Sequence, residues 1–209
     1  MAAKLTRRER ERQRHRREIL AAAVELFSRK GFDRTSMAEI AERAEFAVGT
    51  LYKFFKDKKA LYRALILDTV QEFAQALTAA LKTRGTELER LERYIETKAE
   101  LFVRHIPTAR LYFSQTAGAK FVPTAGLDRD ARAVHKGVLD ALEALFRAGM
   151  RKGLFLKADP RMLVLGLEGI SNAFLDELIE RPDDFTAEVL ADMTKTIFFE
   201  RIRLKAKQA

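Results

Sequence analysis

The 209-residue sequence contains no cysteine, so disulfide bridges, thiolate metal sites and thiol nucleophiles are excluded. Proline and glycine are few, at 4 and 10 residues, while 47% of the residues are hydrophobic, a balance typical of an ordered, helix-rich protein. No apolar run reaches the roughly 20 residues that cross a bilayer, and the basic N-terminus lacks the apolar core of a signal peptide. We therefore expect a cytoplasmic protein with no membrane partner.

The formal net charge of +9 is concentrated at the N-terminal end of the chain. Residues 1–17 hold eight basic side chains against two glutamates, whereas residues 63–209 hold 23 basic side chains against 21 acidic ones. A basic end attracts polyanions, and nucleic-acid phosphate and anionic lipid headgroups are the two candidates. A solvated, disordered basic tail is the alternative interpretation. The motifs described below favour nucleic acid.

Every long segment has the apolar spacing of a helix, and none has the sustained alternation of a strand. The first helix carries an apolar stripe over residues 19–27 and ends at Gly31. Ser36–Glu39 and Thr86–Glu89 have the spacing of capping boxes, and Asp159-Pro160 has the pattern of an N-cap followed by proline at the first helical position. Further helices are predicted over residues 48–54, 57–82, 86–106, 107–117, 128–152, 159–181 and 186–204. About nine helices result, with a loop over residues 118–127.

Two short helices near the N-terminus have the spacing of a helix-turn-helix. Residues 36–44 and 48–54 are separated by the three residues Glu45-Phe46-Ala47, which suits a second helix that projects into a major groove. The apolar seam between the two helices is predicted to consist of Ile40, Ala41 and Leu51. Small residues at the start of the second helix would let its first turn approach bases or phosphates closely.

The residues around these helices follow a distinctive pattern. The sequence reads GF at 31–32, TSMAEIA at 35–41 and VGTLYKFFKDKKAL at 48–61. It closely resembles the DNA-binding domain of TetR-family transcriptional regulators, whose pattern is G-F, T-[TS]-x-x-x-I-A, G-T-[LI]-Y-x-[YH]-F and K-x-x-L. The resemblance implies an all-α fold with an N-terminal three-helix helix-turn-helix DNA-binding domain (residues 1–62). A larger C-terminal helical domain for ligand binding and dimerisation would follow (residues 63–209).

The resemblance also implies a role as a repressor that binds double-stranded operator DNA. By this resemblance, the residues expected to contact the major groove or the phosphates of DNA are Ser36, Val48, Gly49, Thr50, Tyr52, Lys53 and Lys58. Glu45 stands where the family often has glycine, so we expect a left-handed conformation there at modest cost. Ala47 stands where the family often has serine or threonine, so the second helix should lack a side-chain N-cap.

The arginine-rich N-terminus is predicted to act as an arm that assists DNA binding. Its candidate residues are Arg7, Arg8, Arg10, Arg12 and Arg14. We expect this arm to follow the phosphate backbone or to enter the minor groove, which adds affinity with a steep dependence on salt. Disorder of the arm is the alternative.

The last two long helices are the candidate dimer interface, because each carries an apolar stripe and the first of them has small residues alongside its stripe. The predicted interface residues are Leu163, Leu167, Ile170, Phe174, Leu190, Met193 and Ile197. A two-fold homodimer would read a palindromic operator through successive major grooves. Packing of these stripes within one chain is the alternative.

The central helices enclose the effector pocket in TetR-family proteins. Aromatic walls with a few polar groups suit a hydrophobic or amphipathic small molecule. The predicted pocket residues are His105, Tyr112, Phe113, Gln115, Phe121, His135, Phe146 and Met150, and burial in the core is the alternative for each. We expect the effector to favour a conformer whose two recognition helices no longer match the half-sites, which releases the DNA.

Three other functional classes fit the sequence less well. An enzyme or a metal or cofactor site is not indicated, because the three histidines are far apart and no phosphate-binding loop or dinucleotide motif is present. A membrane-surface protein would use the basic first helix, but the apolar stripe of that helix is needed inside the helix-turn-helix domain. A nonspecific DNA-compacting protein would not need the large, nearly neutral second domain.

Overall fold

The computed structural model describes residues 6–116 and 124–202, and within these ranges the predicted all-helical architecture is confirmed. The nine helices of the described ranges are α1 (Arg7–Lys30), α2 (Met37–Arg43), α3 (Val48–Phe54), α4 (Lys58–Leu81), α5 (Glu87–Arg104), α6 (Ile106–Gln115), α7 (Arg129–Arg151), α8 (Pro160–Glu180) and α9 (Ala187–Ile202). None of these helices is long and apolar enough to span a membrane. Most of the predicted loop at residues 118–127 lies outside the described ranges, as do the last two residues of the final predicted helix.

Local sequence sets most of the helix ends. The Ser36–Glu39 and Thr86–Glu89 capping boxes are both formed, and Asp159 caps α8 directly before Pro160, as predicted. A further capping box, Thr6–Glu9, opens α1 at Arg7. The arginine-rich segment is therefore helical from Arg7 onward, which the apolar stripe alone did not predict, because that stripe begins only at residue 19.

Helices α1 to α3 and the beginning of α4 enclose a first core. Its fully or almost fully buried side chains include Ile19, Ala23, Phe27, Ile40, Ala41, Leu51 and Leu61. Helix α1 ends where predicted, at Gly31, whose φ of 82° a side-chain-bearing residue adopts only with strain. Leu111 of α6 is the member of this core that comes from far along the chain. Burial of a leucine contributes about 1.5–3 kcal/mol, so the contact ties α6 firmly to the first three helices.

A second, larger core is formed by α4 to α9. Tyr94, Leu142, Phe146, Leu167 and Leu178 lie within it at no more than 1% exposure. Helix α4 contributes to both cores, with its first turns in the first core and its last turns in the second. The rigid rod of α4 therefore connects the helix-turn-helix to the rest of the molecule.

Candidate nucleic-acid interface and internal cavity

The turn between α2 and α3 has the geometry predicted for a helix-turn-helix. Ile40 and Ala41 of α2 and Leu51 of α3 are all 0% exposed, which confirms the apolar seam. Glu45 has a φ of 59°, so the left-handed conformation expected there is present. Ala47 caps α3 without a side-chain hydrogen bond, also as expected.

The outward face of α3 carries the predicted groove-facing residues. Val48 is 40% exposed and Tyr52 is 52% exposed, which is unusual for side chains of this size. Lys53 is exposed beside them. A side chain at Gly49 would meet no atom within 4 Å, so internal packing does not require glycine there. The small residue instead leaves the surface of the first turn open to a close approach from outside.

Ser36 and Lys58 both make internal contacts; the capping box of Ser36 was predicted, whereas the contacts of Lys58 were not revealed by the sequence pattern. The Ser36 hydroxyl accepts from the backbone N–H of Glu39 and donates to the Glu39 carboxylate, 2.9 Å away. The Lys58 ammonium donates to the carbonyl oxygens of Phe32, Asp33 and Thr35 at 2.7, 3.1 and 2.8 Å. Ser36 therefore caps α2, Lys58 holds the loop between α1 and α2, and the contact of both residues with DNA stays a prediction.

The first turns of α1 lie beside α3. The Arg12 guanidinium is 5.9 Å from the centre of the Phe54 ring, and the His15 and Phe46 rings are 4.9 Å apart. Arg8 and Arg12 line one shallow surface together with Lys53. The basic residues of the predicted arm, from Arg7 to Arg14, are exposed. The positive charge of the N-terminus thus stands next to the exposed face of α3.

A cavity of about 180 Å³ lies among the helices of the second core. Most of its wall is apolar. Helix α4 contributes six of the lining residues, more than any other helix, and α5, α6, α7 and α8 contribute further residues. The apolar wall includes Ile66, Val70, Phe73, Ala74, Leu77, Phe102 and Leu175. An apolar cavity of about 150 Å³ is enough to bind benzene, so this space can hold a small organic molecule.

A polar cluster forms part of the cavity wall. The Lys98 ammonium and the Tyr94 hydroxyl both donate to Oε1 of Glu168, each at 2.8 Å. Burial raises the pKa of the Glu168 carboxyl, but the charge and hydrogen bond of Lys98, with the hydrogen bond of Tyr94, outweigh it and hold that pKa below its usual value. Burial also lowers the pKa of His135, so its ring is uncharged at neutral pH.

The structure brings only part of the predicted pocket together. His105, Tyr112, Phe113 and His135 line the cavity. Phe146 is instead fully buried against Phe155 and Phe198, with ring centres 5.6 and 5.9 Å away, and Met150 packs on the same core. Gln115 is exposed at the end of α6. Phe121 lies outside the described residues.

Sequence reasoning missed the contribution of α4, α5 and α8 to the cavity. Lys98 and Glu168 are 70 residues apart, and each sits on a helix as one charge among many. No motif marks them as a pair. Their one unusual feature is that each interrupts an apolar face of its helix.

Residues 19–65, from the buried part of α1 to the beginning of α4, match the family described as "Bacterial regulatory proteins, tetR family". The helix-turn-helix part of this chain is therefore of the TetR-family type. The HTH-type transcriptional regulator RutR of Escherichia coli (strain K12) is 28% identical to it over 162 residues, which are 77% of this chain and 74% of RutR. The matched family and RutR are both described as regulatory proteins, and neither is described as an enzyme.

Solved structures of other regulators share the fold. A transcriptional regulator from Saccharomonospora viridis in complex with choline aligns with a TM-score of 0.73 and 17% identity, covering 92% of this chain and 100% of that one. The regulator FadR from Bacillus subtilis in complex with stearoyl-CoA aligns with a TM-score of 0.68 and 18% identity, covering 87% and 96%. Identities this low establish the shared architecture alone.

Helix α6 connects the cavity to the helix-turn-helix domain. Thr108, Ala109 and Tyr112 face the cavity, whereas Leu111 on the other side of the same helix is buried in the first core. Arg16 of α1 and Asp68 of α4 form a bidentate ion pair that adds a second link between the two parts. A change in cavity shape therefore has a direct mechanical route to α1.

An exposed apolar face runs along α8 and α9, but its members differ from those predicted. Met193 and Ile197 are exposed as expected, at 39% and 49%. Leu167 and Leu190 are instead buried within the chain, at 0% and 2% exposure, and Leu163, Ile170 and Phe174 are half-buried against the same core. The exposed large apolar side chains of this face are Met162, Leu165, Val189, Met193 and Ile197. Helix α8 is apolar around most of its circumference, so periodicity could not show which side faces inward.

Proposed function

We propose that this chain is a TetR-family regulator, a cytoplasmic, ligand-responsive repressor that binds a palindromic operator as a homodimer. The observation that carries the proposal is the exposed face of α3, where Val48, Tyr52 and Lys53 stand beside the basic first turns of α1. The apolar and tyrosine side chains of this face are exposed rather than buried, and positive charges surround them. This arrangement suits a helix that contacts base edges while the neighbouring basic residues contact phosphate. In this proposal Gly49 and Thr50 admit the close approach, and Ser36 and Lys58 support the loop beside it.

The homodimer is supported by the exposed apolar face on α8 and α9. Five large apolar side chains on two adjacent helices form a patch that a monomer would leave in water, and such patches mark interaction sites. Gly166 and Gly169 are exposed beside them, which permits close approach of a second helix pair. A two-fold contact through this face would present two copies of α3 to one side of a duplex.

Release by an effector is supported by the cavity and its two connections to the helix-turn-helix. Helix α4 and helix α6 each contact both the cavity and the first core. A molecule that fits one conformer of these helices better than another shifts the population toward it and thereby changes the separation of the two α3 helices. The division into a DNA-binding part (residues 1–62) and an effector and dimerisation part (residues 63–209) is retained in this proposal, with α4 continuous across it.

The test of DNA recognition is selection from a pool of random duplexes with the purified chain. We expect an enriched sequence with two-fold symmetry, and a Val48→Glu variant should fail to retain it. Enrichment of no sequence at moderate salt, with bound small molecules removed by refolding, would overturn the regulator proposal.

The test of the dimer uses sedimentation at micromolar concentration. Ile197→Glu places a charge in the proposed interface and should give monomers, whereas Val48→Glu places the same charge on an equally apolar exposed site and should leave the dimer intact. A monomeric wild-type chain, or an Ile197→Glu variant that stays dimeric, would contradict this part of the proposal.

A further inference from the structure

We propose that the cavity selects an uncharged, mostly apolar molecule whose polar end both donates and accepts hydrogen bonds, and that the Lys98–Glu168 ion pair is the selecting element. The inference deepens the effector part of the proposed function and rests on it. A primary amide on a short alkyl chain or a single ring is the simplest ligand of this class.

The ion pair is buried and only partly satisfied. The side chains of Lys98 and Glu168 are 6% and 12% exposed. Oε1 of Glu168 accepts both hydrogen bonds of the cluster, from Lys98 and from Tyr94. Within residues 6–116 and 124–202, Oε2 of Glu168 and two of the three ammonium protons of Lys98 have no hydrogen-bond partner. An acceptor and donors therefore remain for a ligand, and leaving such groups unpaired is costly in a buried site.

The charges in the described cavity wall cancel. Lys98 is its one permanent cation and Glu168 its one permanent anion, and the ring of His135 is uncharged at neutral pH. His105 also lines the cavity. Its Nε2 lies 3.2 Å from the carboxylate of Glu72, which is not part of the cavity wall, and has no hydrogen-bond partner among the described residues. A ligand carboxylate would meet the like charge of Glu168, and a quaternary ammonium would meet that of Lys98. Either charged ligand would have to lose its hydration on entering the cavity. Its attraction to one member of the ion pair would then be offset by repulsion from the other member.

An amide satisfies the cluster without adding charge. Its N–H₂ group can donate to Oε2 of Glu168 while its carbonyl oxygen accepts from Lys98. Asn172, on the same helix as Glu168 and one turn further along, also lines the cavity and can pair with either end of an amide. The rest of the wall offers apolar contact to an alkyl chain or ring.

The experiment measures thermal stabilisation of the full chain by three probes with the same six-carbon chain: hexanamide, hexanoate and hexyltrimethylammonium. We expect hexanamide to raise the Tm in a concentration-dependent way and the two charged probes to have an effect at least about tenfold weaker in apparent Kd. A wild-type chain that prefers either charged probe overturns the inference.

Two variants assign the selectivity to the ion pair. Glu168→Gln keeps the shape but leaves Lys98 unpaired, so the preference should change from hexanamide to hexanoate. Lys98→Met leaves Glu168 unpaired and should change the preference to hexyltrimethylammonium. Glu96→Gln is the matched control, because Glu96 lies on α5 like Lys98 but pairs with Lys195 at the surface, and its order of probes should equal that of the wild type.

If the single variants fail to fold, the double variant Lys98→Met/Glu168→Gln provides the test, because it leaves no unpaired charge. It should discriminate against both charged probes and bind hexanamide more weakly than the wild type, whereas unchanged hexanamide binding would overturn the inference. Selection of DNA tests the regulator proposal independently of the probe experiment. A chain that selects an operator but is stabilised by none of the probes refutes the ligand class alone, and a chain that selects no DNA refutes the regulator.

Discussion

The Lys58 ammonium lies 2.7 Å from the carbonyl oxygen of Phe32 and 4.5 Å from the centre of the Phe32 ring. A lysine at the N-terminus of α4 is thereby fastened to the loop that connects α1 to α2. The contact stabilises the loop by charge-assisted hydrogen bonds and by a cation–π interaction. It also fixes the distance between the beginning of α4 and the beginning of α2, and hence the position of the recognition helix.

Replacing Lys58 by methionine should destabilise the protein, because three carbonyl oxygens lose their donor. Hydrogen bonds to charged groups contribute roughly 1.5–3 kcal/mol, so we expect the free energy of unfolding to fall by about 2 kcal/mol. Urea denaturation measures the change. Lys59→Met, at the exposed neighbouring position, is the control and should alter stability by less than about 0.5 kcal/mol. Equal stability of the two variants would show that Lys58 has no structural role.

Glu45→Gly should stabilise the protein, since glycine adopts a φ of 59° without the clash of a side chain. The expected gain is about 1 kcal/mol, measured by urea denaturation. Glu42→Gly is the control within the exposed side of α2, where glycine should cost about 1 kcal/mol. A loss of stability in Glu45→Gly would mean that the turn relies on the glutamate side chain.

The basic first turns of α1 should determine part of the salt dependence of DNA binding. Each phosphate contact contributes about 0.9 to the slope of log affinity against log salt concentration. Replacing Arg8 and Arg12 by glutamine should therefore flatten the slope by up to about 1.8, measured by fluorescence anisotropy with the selected operator. Replacing Arg129 and Arg151 of α7 removes the same charge from the other domain and should leave the slope unchanged. An unchanged slope in both variants would exclude α1 as a DNA contact.

Acid stability should depend on Glu39. The hydrogen bond from Lys30, together with those from Ser36, lowers the pKa of this carboxyl from 4.5 to about 2. A carboxyl whose pKa is lower in the folded state than in the unfolded chain stabilises the protein when the pH is above the unfolded-state pKa. This contribution is therefore fully present above pH 4.5 and is lost as the pH falls towards 2.

In Glu39→Gln, the free energy of unfolding should therefore change less steeply over this pH range than in the wild type. Urea denaturation at several pH values measures the difference, and Glu42→Gln on the same helix is the control. Identical pH profiles for wild type and Glu39→Gln would contradict the assignment.

The recognition motif and most helix ends could be predicted because the interactions that define them are local. A capping box such as Ser36–Glu39 joins residues three positions apart, and the left-handed turn at Glu45 was expected from the glycine that the resembled family often has at this position. Such contacts depend on residues that are close in the sequence and do not require the packing of distant helices. The candidate DNA-facing residues on α3 were identified by the resemblance to the TetR family.

The exposed apolar face of α8 and α9 and the internal cavity could be predicted only in outline. Apolar residues surround α8 on most sides, so the inward position of Leu167 and the outward position of Leu165 depend on how α8 packs on its neighbours. Phe146 is aromatic and central in the sequence, as a pocket residue would be, yet it fills the core between Phe155 and Phe198. Periodicity identifies an apolar residue but does not distinguish a cavity wall from a core.

The sequence by itself determined the resemblance to the TetR family, the helical fold, the caps and the two short helices of the helix-turn-helix, since each depends on residues a few positions apart. Only the tertiary structure decided that Lys98 meets Glu168 across 70 residues, that Lys58 closes the loop after α1, and which faces of α8 and α9 remain exposed. These features depend on the relative orientation of whole helices. That orientation results from the packing of all the side chains at once, and no short stretch of the sequence contains it.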